Sequence, residues 1–513
     1  MRQAHDVATV RAAEAALMAQ LPAGALMQRA ATGLAATCGR LLGHVYGARV
    51  VVLAGTGDNG GDALFAGALL ARAGAAVSAV LLGERSHVDG LAALRLAGGR
   101  VAAVDALDIL GRADLVIDGI VGIGGKGGLR PAAASVVEQL SSTATVVAVD
   151  IPSGVDADTG VVEGVAVHAD ATVTFGTWKP GLLVDPGAHY AGAVECVDIG
   201  LGPFLPSAST TALQAADVAA LLPQPAIESD KYRRGVLGLV AGSDIYTGAA
   251  LLASGGALRT GVGMLRFVSV AHPAELVRAR WPEAVVTVLA DKDVLASKDG
   301  DVLAAGRVQA WVVGPGIGTD EFASSLVAQV LGADVPVVVD ADGLTLLSRH
   351  SDLLRDRTAP TVLTPHAGEL ARMLGLDPAA RSDIEARRLH YARTAADTLG
   401  ATVLLKGSTT VVCTPSGSGT SGAWTRVNST GTPWLATAGT GDVLSGITGA
   451  LLAGGLSAFD AASCAAYLHG AAARLAAHAG PIVAEDVVAN LPAAMHSVRI
   501  DPGRNESAET LER

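Results

Sequence analysis

Short runs of Val, Ile, Leu and Ala recur along the chain, each closing on a glycine, an aspartate or another polar residue and leading into helical spacing. In the first half these runs are Ala48–Ala54, Val77–Leu82, Asp114–Asp118, Val146–Asp150 and Ala171–Phe175. Strands this apolar are covered on both faces, and their alternation with helices is the βαβ rhythm of a mostly parallel, doubly wound α/β sheet. Ahead of them, Asp6 to Leu42 places Val7, Val10, Ala13 and Leu17, then Leu26, Met27 and Ala30, at helical spacing, which predicts two helices.

The pattern breaks at Gly200-Leu-Gly-Pro-Phe-Leu-Pro and again at Leu222-Pro-Gln-Pro, residues that punctuate rather than build elements. A second α/β series starts at Gly235-Val-Leu-Gly-Leu-Val-Ala-Gly242. It continues through Met264–Val268, Ala310–Gly314, Val335–Asp340, Thr361–Thr364 and Thr402–Lys406 to Ala-rich helices. The predicted organisation is a first domain over 1–205, a linker over 206–228, a second domain over 229–496 and a disordered tail over 497–513. A near-apolar run, Val443 to Phe459, is interrupted by Ser, Thr and Gly and reads as buried helix, not a membrane span.

Composition narrows the function classes. A net charge of −12 disfavours non-specific nucleic-acid binding and leaves no polybasic membrane patch. Cys38, Cys196, Cys413 and Cys464 form no C-x-x-C, so neither structural zinc nor a disulfide framework is expected, and a reducing cytoplasm fits. Met1-Arg-Gln-Ala-His-Asp carries charge where a signal peptide has its apolar core, so none is expected.

The chemistry concentrates at strand ends. After the first strand, Gly55-x-Gly57-x-x-Gly60 has the dinucleotide-binding spacing. Asp58 and Asp62, however, put carboxylates where a pyrophosphate would sit, and Asp58-Asn59 suits a cation, a sugar or an amide edge. Asp118, the segment Gly122-Ile123-Gly124-Gly125-Lys126-Gly127-Gly128, and Asp150-Ile-Pro-Ser153 close other strands. Singly, each is as well explained by a turn glycine or a capping aspartate; together they converge on one crevice.

In the second half, Gly439-Thr-Gly441-Asp442 runs straight into an apolar helix. A helix start favours an anion, so a carboxylate there either caps the helix or faces a hydroxyl about to attack phosphorus. Both readings stand on the loop alone. Lys406-Gly407-Ser408-Thr409-Thr410 offers a cation and hydroxyls to phosphates, and Gly314-Pro-Gly316-Ile-Gly318 offers backbone. His366, in Thr364-Pro-His-Ala-Gly-Glu369, reads as structural when taken by itself, and its strand-end position brings it towards a ligand. Glu369 either assists a magnesium ion at one remove or strengthens its helix start.

With these motifs in view, residues 1–200 resemble the epimerase half of the bifunctional NAD(P)H-hydrate repair enzymes, and residues 212–495 their ribokinase-like, ADP-dependent dehydratase half. By that resemblance Asp58, Asn59, Gly60, Gly61, Asp62, Gly122–Gly128 and Asp150 contact the hydrated nucleotide, and Asn59, Asp118 and Ser153 hold K+. Asp150 and Lys126 are the expected proton-handling groups of the first half. In the second half Ala257, Gly316, Gly318 and His366 fall on substrate contacts, and Lys406–Thr410 and Gly441 on the AMP site. Asp442 becomes the base, with Mg2+ accompanying ADP. The partners so implied are NAD(P)HX and ADP in a cytoplasmic homo-oligomer. Departures from the family pattern are Asp58, Ala63, Arg234, Thr432 and Trp434. The competing reading is a ribokinase-type small-molecule kinase with a nucleotide-binding accessory domain; a dehydrogenase is weaker, since no hydride-transfer partner accompanies the glycine motif.

Overall fold

The computed structural model describes residues 1–103, 107–141, 143–289, 301–416, 425–478 and 480–500. The chain divides into two compact units, one built on Arg2–Thr210 and the other beginning at Thr211.

The N-terminal unit is a sheet of β1 (Arg49–Ala54), β2 (Ala76–Leu81), β3 (Arg100–Ala102), β4 (Leu115–Gly119), β5 (Thr145–Val149), β6 (Ala171–Phe175) and β7 (Ala193–Val197). Its order is β3-β2-β1-β4-β5-β6-β7, with every pairing parallel. The order reverses between β1 and β4, where a parallel sheet opens a crevice at its carboxyl edge. The glycine-rich loop after β1 and Asp118 at the end of β4 both lie there. Helix α1 (Asp58–Arg72) starts from that loop, and Leu64, Leu70, Val50, Val52 and Ile117 close the core behind it. The two expected N-terminal helices are present as Val7–Met18 and Ala25–Leu42.

The C-terminal unit has β8 (Val236–Val240), β9 (Met264–Ser269), β10 (Val285–Val288), β11 (Ala310–Val313), β12 (Val337–Val339), β13 (Thr361–Leu363), β14 (Thr402–Leu405), β15 (Thr410–Cys413) and β16 (Thr425–Asn428). They run in the order β16-β15-β14-β13-β12-β11-β8-β9-β10. The pairs from β14 to β10 are parallel, and β15 and β16 add an antiparallel hairpin. Helix α2 (Thr247–Thr260) and helix α3 (Thr440–Ala453) cross so closely that a Cβ on Gly446 would lie 2.1 Å from the Ala253 carbonyl oxygen. The apolar run is thus buried helix: α3 is buried from Val443 to Ala453, and a new helix, Ala458–Ala477, follows the Gly454-Gly455 break. Among the described residues no helix is long and apolar enough to cross a membrane.

Two boundaries differ from expectation. The segment read as linker contains the strand Thr210–Ala212 and the helix Ala215–Leu221, started by a Gln214/Asp217 capping box. Buried Ala215 and Val218 at helical spacing make it part of the core. The final helix, Ala484–Ile500, carries on past the expected 497 because Val498 is buried, and the rest of the expected tail lies outside the described residues.

Candidate active sites

At the crevice of the N-terminal unit the backbone is drawn very tight. A Cβ on Gly55 would lie 1.9 Å from the Ile120 carbonyl oxygen, and one on Gly122 would lie 2.8 Å from Asn59 Oδ1. Only glycine lets the β1 loop and the β4 loop meet. Asp118 is wholly buried; its Oδ1 accepts from Ser153 Oγ (2.6 Å) and Ile120 N (3.2 Å), and its Oδ2 from Ser153 N (2.8 Å). Burial pushes its carboxyl up to about 6 despite those donors. Asn59 Nδ2 is buried with no partner. A half-turn of the side-chain amide would bring an oxygen to that position.

Asp150 follows β5 at φ +65°, and the Ile151 N–H donates to the Val149 carbonyl (2.8 Å), closing a γ-turn around it. This positive-φ turn is rare and strained for any residue with a side chain. Asp150 Oδ1 accepts from Thr174 Oγ1 (2.9 Å), Phe175 N (3.2 Å) and the ammonium of Lys179. Lys179, not Lys126, is therefore the cation on Asp150. Lys126 has a 65% exposed side chain and pairs with Asp156 (3.1 Å) and Asp158 (3.3 Å), which raise its own pKa. Asp150 and Lys126, both expected to handle protons, do not pair with each other, because Lys126 turns towards the Asp156–Asp158 loop. Sequence reading passed over Lys179 in Gly176-Thr-Trp-Lys-Pro because it sits in a loop after a strand with no phosphate-like motif. Asp58 lies in the first turn of α1, and Asp62, one turn further, is held well above the usual carboxylate range by burial and then by the charges of Asp150, Asp58 and Glu14.

In the C-terminal unit the carboxyl ends of β11 to β14 and the start of α3 supply the groups. Gly439, at φ +89°, occupies the N-cap of α3 without a side-chain cap. Asp442 sits in the first turn, and among the described residues nothing donates a hydrogen bond to its carboxylate, so it is not spent as a cap. Burial first, then the negative charge of Asp340, pushes it up to about 7, with Lys406 opposing. Lys406 Nζ donates to Asp340 Oδ1 (2.8 Å) and lies 3.8 Å from Glu369 Oε2. Asp340 is 1% exposed and also accepts from Ser445 Oγ (2.7 Å) on α3. A lysine among Asp340, Glu369 and Asp442 is thus fixed at one edge of the site, and those carboxylates keep its pKa above the usual value. The remainder of its segment forms the tight link from β14 to β15, with Ser408 exposed and Thr409 buried.

His366 caps the helix Ala367–Met373 that follows it. Its Nδ1 accepts from Gly368 N (3.0 Å) and Glu369 N (3.3 Å), while Glu369 Oε2 accepts from His366 N (2.8 Å), a reciprocal cap. An Nδ1 that accepts leaves the proton on Nε2, on a side chain 54% exposed. Burial and then Lys406 bring its pKa down to about 4, so it is a neutral donor. Gly316 and Gly318 adopt φ +64° and +84°, and Gly318 N donates to Asp342 Oδ2 (2.9 Å). Ala257 is wholly buried between α2 and α3. Its backbone nitrogen would lie 2.9 Å from a Cβ on Gly446, so this residue is part of the helix crossing. Asp340, Asp342 and Ser445 went unread. The signal was Asp-Ala-Asp-Gly closing a Val-Val-Val strand, with Ala341 at φ +50°.

Comparison with known proteins follows the same division. A family model described as NAD(P)H-hydrate dehydratase matches residues 237–491, and one described as the YjeF-related protein N-terminus matches 23–181. The bifunctional NAD(P)H-hydrate repair enzyme Nnr of Mycobacterium leprae is 49% identical, over 94% of this chain and 96% of its own. The chain belongs to the bifunctional NAD(P)H-hydrate repair enzyme family. Other members similar to it are those of Mycobacterium tuberculosis H37Rv, 50% identical over 90% of this chain and 92% of that one, and of Thermofilum pendens, 34% identical over 93% and 92%. Among solved structures, the ADP/ATP-dependent NAD(P)H-hydrate dehydratase of Bacillus subtilis, co-crystallised with ATP/Mg2+, is 30% identical with a TM-score of 0.49, covering 56% of this chain and 98% of that one. Within the family, the C-terminal unit is the dehydratase half and the N-terminal unit the YjeF-related half.

Proposed function

We propose that this chain repairs hydrated NADH and NADPH in two steps: the N-terminal unit interconverts the R and S epimers, and the C-terminal unit dehydrates the S epimer at the expense of ADP. The observation that carries the second step is Asp442, poised near neutrality at a helix start beside the Lys406–Asp340 pair. Hydroxide leaves poorly and phosphate leaves well. Asp442 takes the proton as the hydrate's hydroxyl attacks the terminal phosphorus of ADP, and AMP departs. The Gly439–Gly441 amides and Lys406 face the charge that spreads over the phosphoryl oxygens. The ring nitrogen then expels phosphate, and loss of a neighbouring proton restores the dihydronicotinamide. His366 Nε2–H, a neutral donor, suits a carbonyl or phosphate oxygen of the bound nucleotides.

Among the described residues no three His, Cys, Asp or Glu side chains are grouped to hold a metal by themselves. That fits a magnesium ion carried chiefly by phosphates, with Glu369 at one remove, where it would neutralise phosphoryl charge. In the N-terminal unit the oxygens of Asp118 and Ser153, with the orphaned amide of Asn59, suit a hard monovalent cation; K+ there would offset the buried Asp118 charge and fix the β4 loop. The four unpaired thiols suit a cytoplasmic setting. A homo-oligomer belongs to the same reading, and light scattering of the purified protein checks it.

The test is product stoichiometry. With S-NADHX and ADP, one AMP and one phosphate should form for each NADH regained. A stable phosphorylated hydrate with no return of NADH would make the C-terminal unit an ordinary kinase.

A further inference from the structure

Two ionisable groups adjoin Asp150 in the N-terminal unit: Lys179, wholly buried, and Asp62, half-buried with one oxygen enclosed. Lys179 is 1% exposed, and its ammonium donates to Asp150 Oδ1, Thr174 Oγ1 (2.8 Å) and the Phe175 carbonyl (3.1 Å). Its three hydrogens are all used, which leaves it nothing to offer a substrate. The same contacts, with Thr174 Oγ1 and Phe175 N, occupy Asp150 Oδ1 completely. Oδ2 accepts nothing among the described residues. Asp150 is thus held by one oxygen, in a strained turn, with the other left for chemistry. Asp62 is the second group. Its Oδ1 is buried without a hydrogen-bond partner, a costly arrangement for an ionised carboxylate and a tolerable one for a carboxylic acid.

We propose that Asp62 donates and Asp150 accepts the proton in epimerisation, with Lys179 positioning Asp150. This rests on the epimerase reading. Asp62 gives its proton to the hydroxyl on the carbon next to the ring nitrogen; the C–O bond breaks, water leaves, and the nitrogen lone pair forms the C=N bond. Water then adds from the opposite face and gives its proton to Asp150. Each turnover leaves Asp62 ionised and Asp150 protonated, and proton exchange with solvent water resets both before the next turnover in the same direction; for the other epimer the two carboxyls exchange roles. The surroundings of Asp62 favour this division: burial, and after it the negative charges of Asp150, Asp58 and Glu14, hold its carboxyl well above the usual carboxylate range. Asp150 alone of the set has a buried cation bonded to it.

The experiment uses the full-length protein without ADP, so that dehydration is silent, and follows R and S NADHX by chromatography. Asp62→Asn should lower kcat roughly 100-fold or more, with KM within about threefold, and should remove the alkaline limb of the pH profile. Lys179→Met should lower kcat about 10-fold or more with KM within about threefold, because Asp150 loses the donor that fixes its carboxylate; Lys179→Arg should restore part of kcat. A merely structural role for Lys179 would reduce the amount of folded protein and leave kcat per folded molecule unchanged. Wild-type epimerisation together with an Asp62→Asn variant within threefold of it would overturn the inference alone, as would an unchanged kcat per folded molecule in Lys179→Met. Absence of epimerisation by the wild-type protein would instead remove the epimerase reading, and the inference with it.

Discussion

Replacing Asp442 by Asn should abolish dehydration and, at alkaline pH, stabilise the protein. Both effects come from one group. The folded structure raises this carboxyl from 3.8 to about 7, so the folded state favours its protonated form. That contribution to stability is complete below about 3.8 and is lost as pH rises through about 7. A shift of about three units corresponds to a ceiling of about 4 kcal/mol at ~1.4 kcal/mol per unit. Partial exposure of the side chain screens it, and a realistic gain is roughly 1–2 kcal/mol. Thermal unfolding should therefore show Asp442→Asn melting about 3–8 °C above wild type at pH 8.5, with the difference vanishing near pH 4. In the ADP-dependent assay, wild-type kcat/KM should rise with pH and level off above about 7, and the variant should fall by about 1,000-fold or more. A variant rate near wild type, or a wild-type profile flat from about pH 5.5 to 8.5, would refute the base assignment.

Lys406→Met should leave the buried Asp340 without its cation and destabilise the C-terminal unit by about 3–5 kcal/mol in urea unfolding, with dehydration lost. Gly55→Ala should disable epimerisation while dehydration persists, because a methyl group would sit 1.9 Å from a backbone oxygen; solubility and rate assays read both. His366→Ala should cost about 1 kcal/mol through the lost cap, and His366→Asn should recover that stability but not the Nε2 donor, which shows in KM.

The sequence exposed most of the architecture because the strands are nearly continuous Val, Leu and Ala, and parallel strands in such runs can only be sheet interiors. It missed the hairpin β15–β16 and the edge strands β3, β7 and β10, which are short and part polar. Motif reading found Asp442, Lys406 and Asp150 because each closes a strand or opens a helix. It singled out Lys126, which stands in a conspicuous glycine-rich segment, and passed over Lys179, which reaches Asp150 only through the parallel pairing of β5 with β6. Asp340 and Ser445 are 105 positions apart, a contact no local spacing announces. Ala257 is a motif position that also takes part in the packing of α2 against α3.

The most direct test of the two-step account is the amplitude of repair on a mixture of R and S NADHX with excess ADP. The wild-type chain should return all of the hydrate to NADH in one rapid phase. Asp150→Asn should return only the S fraction promptly, leaving the R fraction to spontaneous epimerisation. Full rapid conversion by Asp150→Asn, or wild-type conversion that stops at the S fraction, would contradict it.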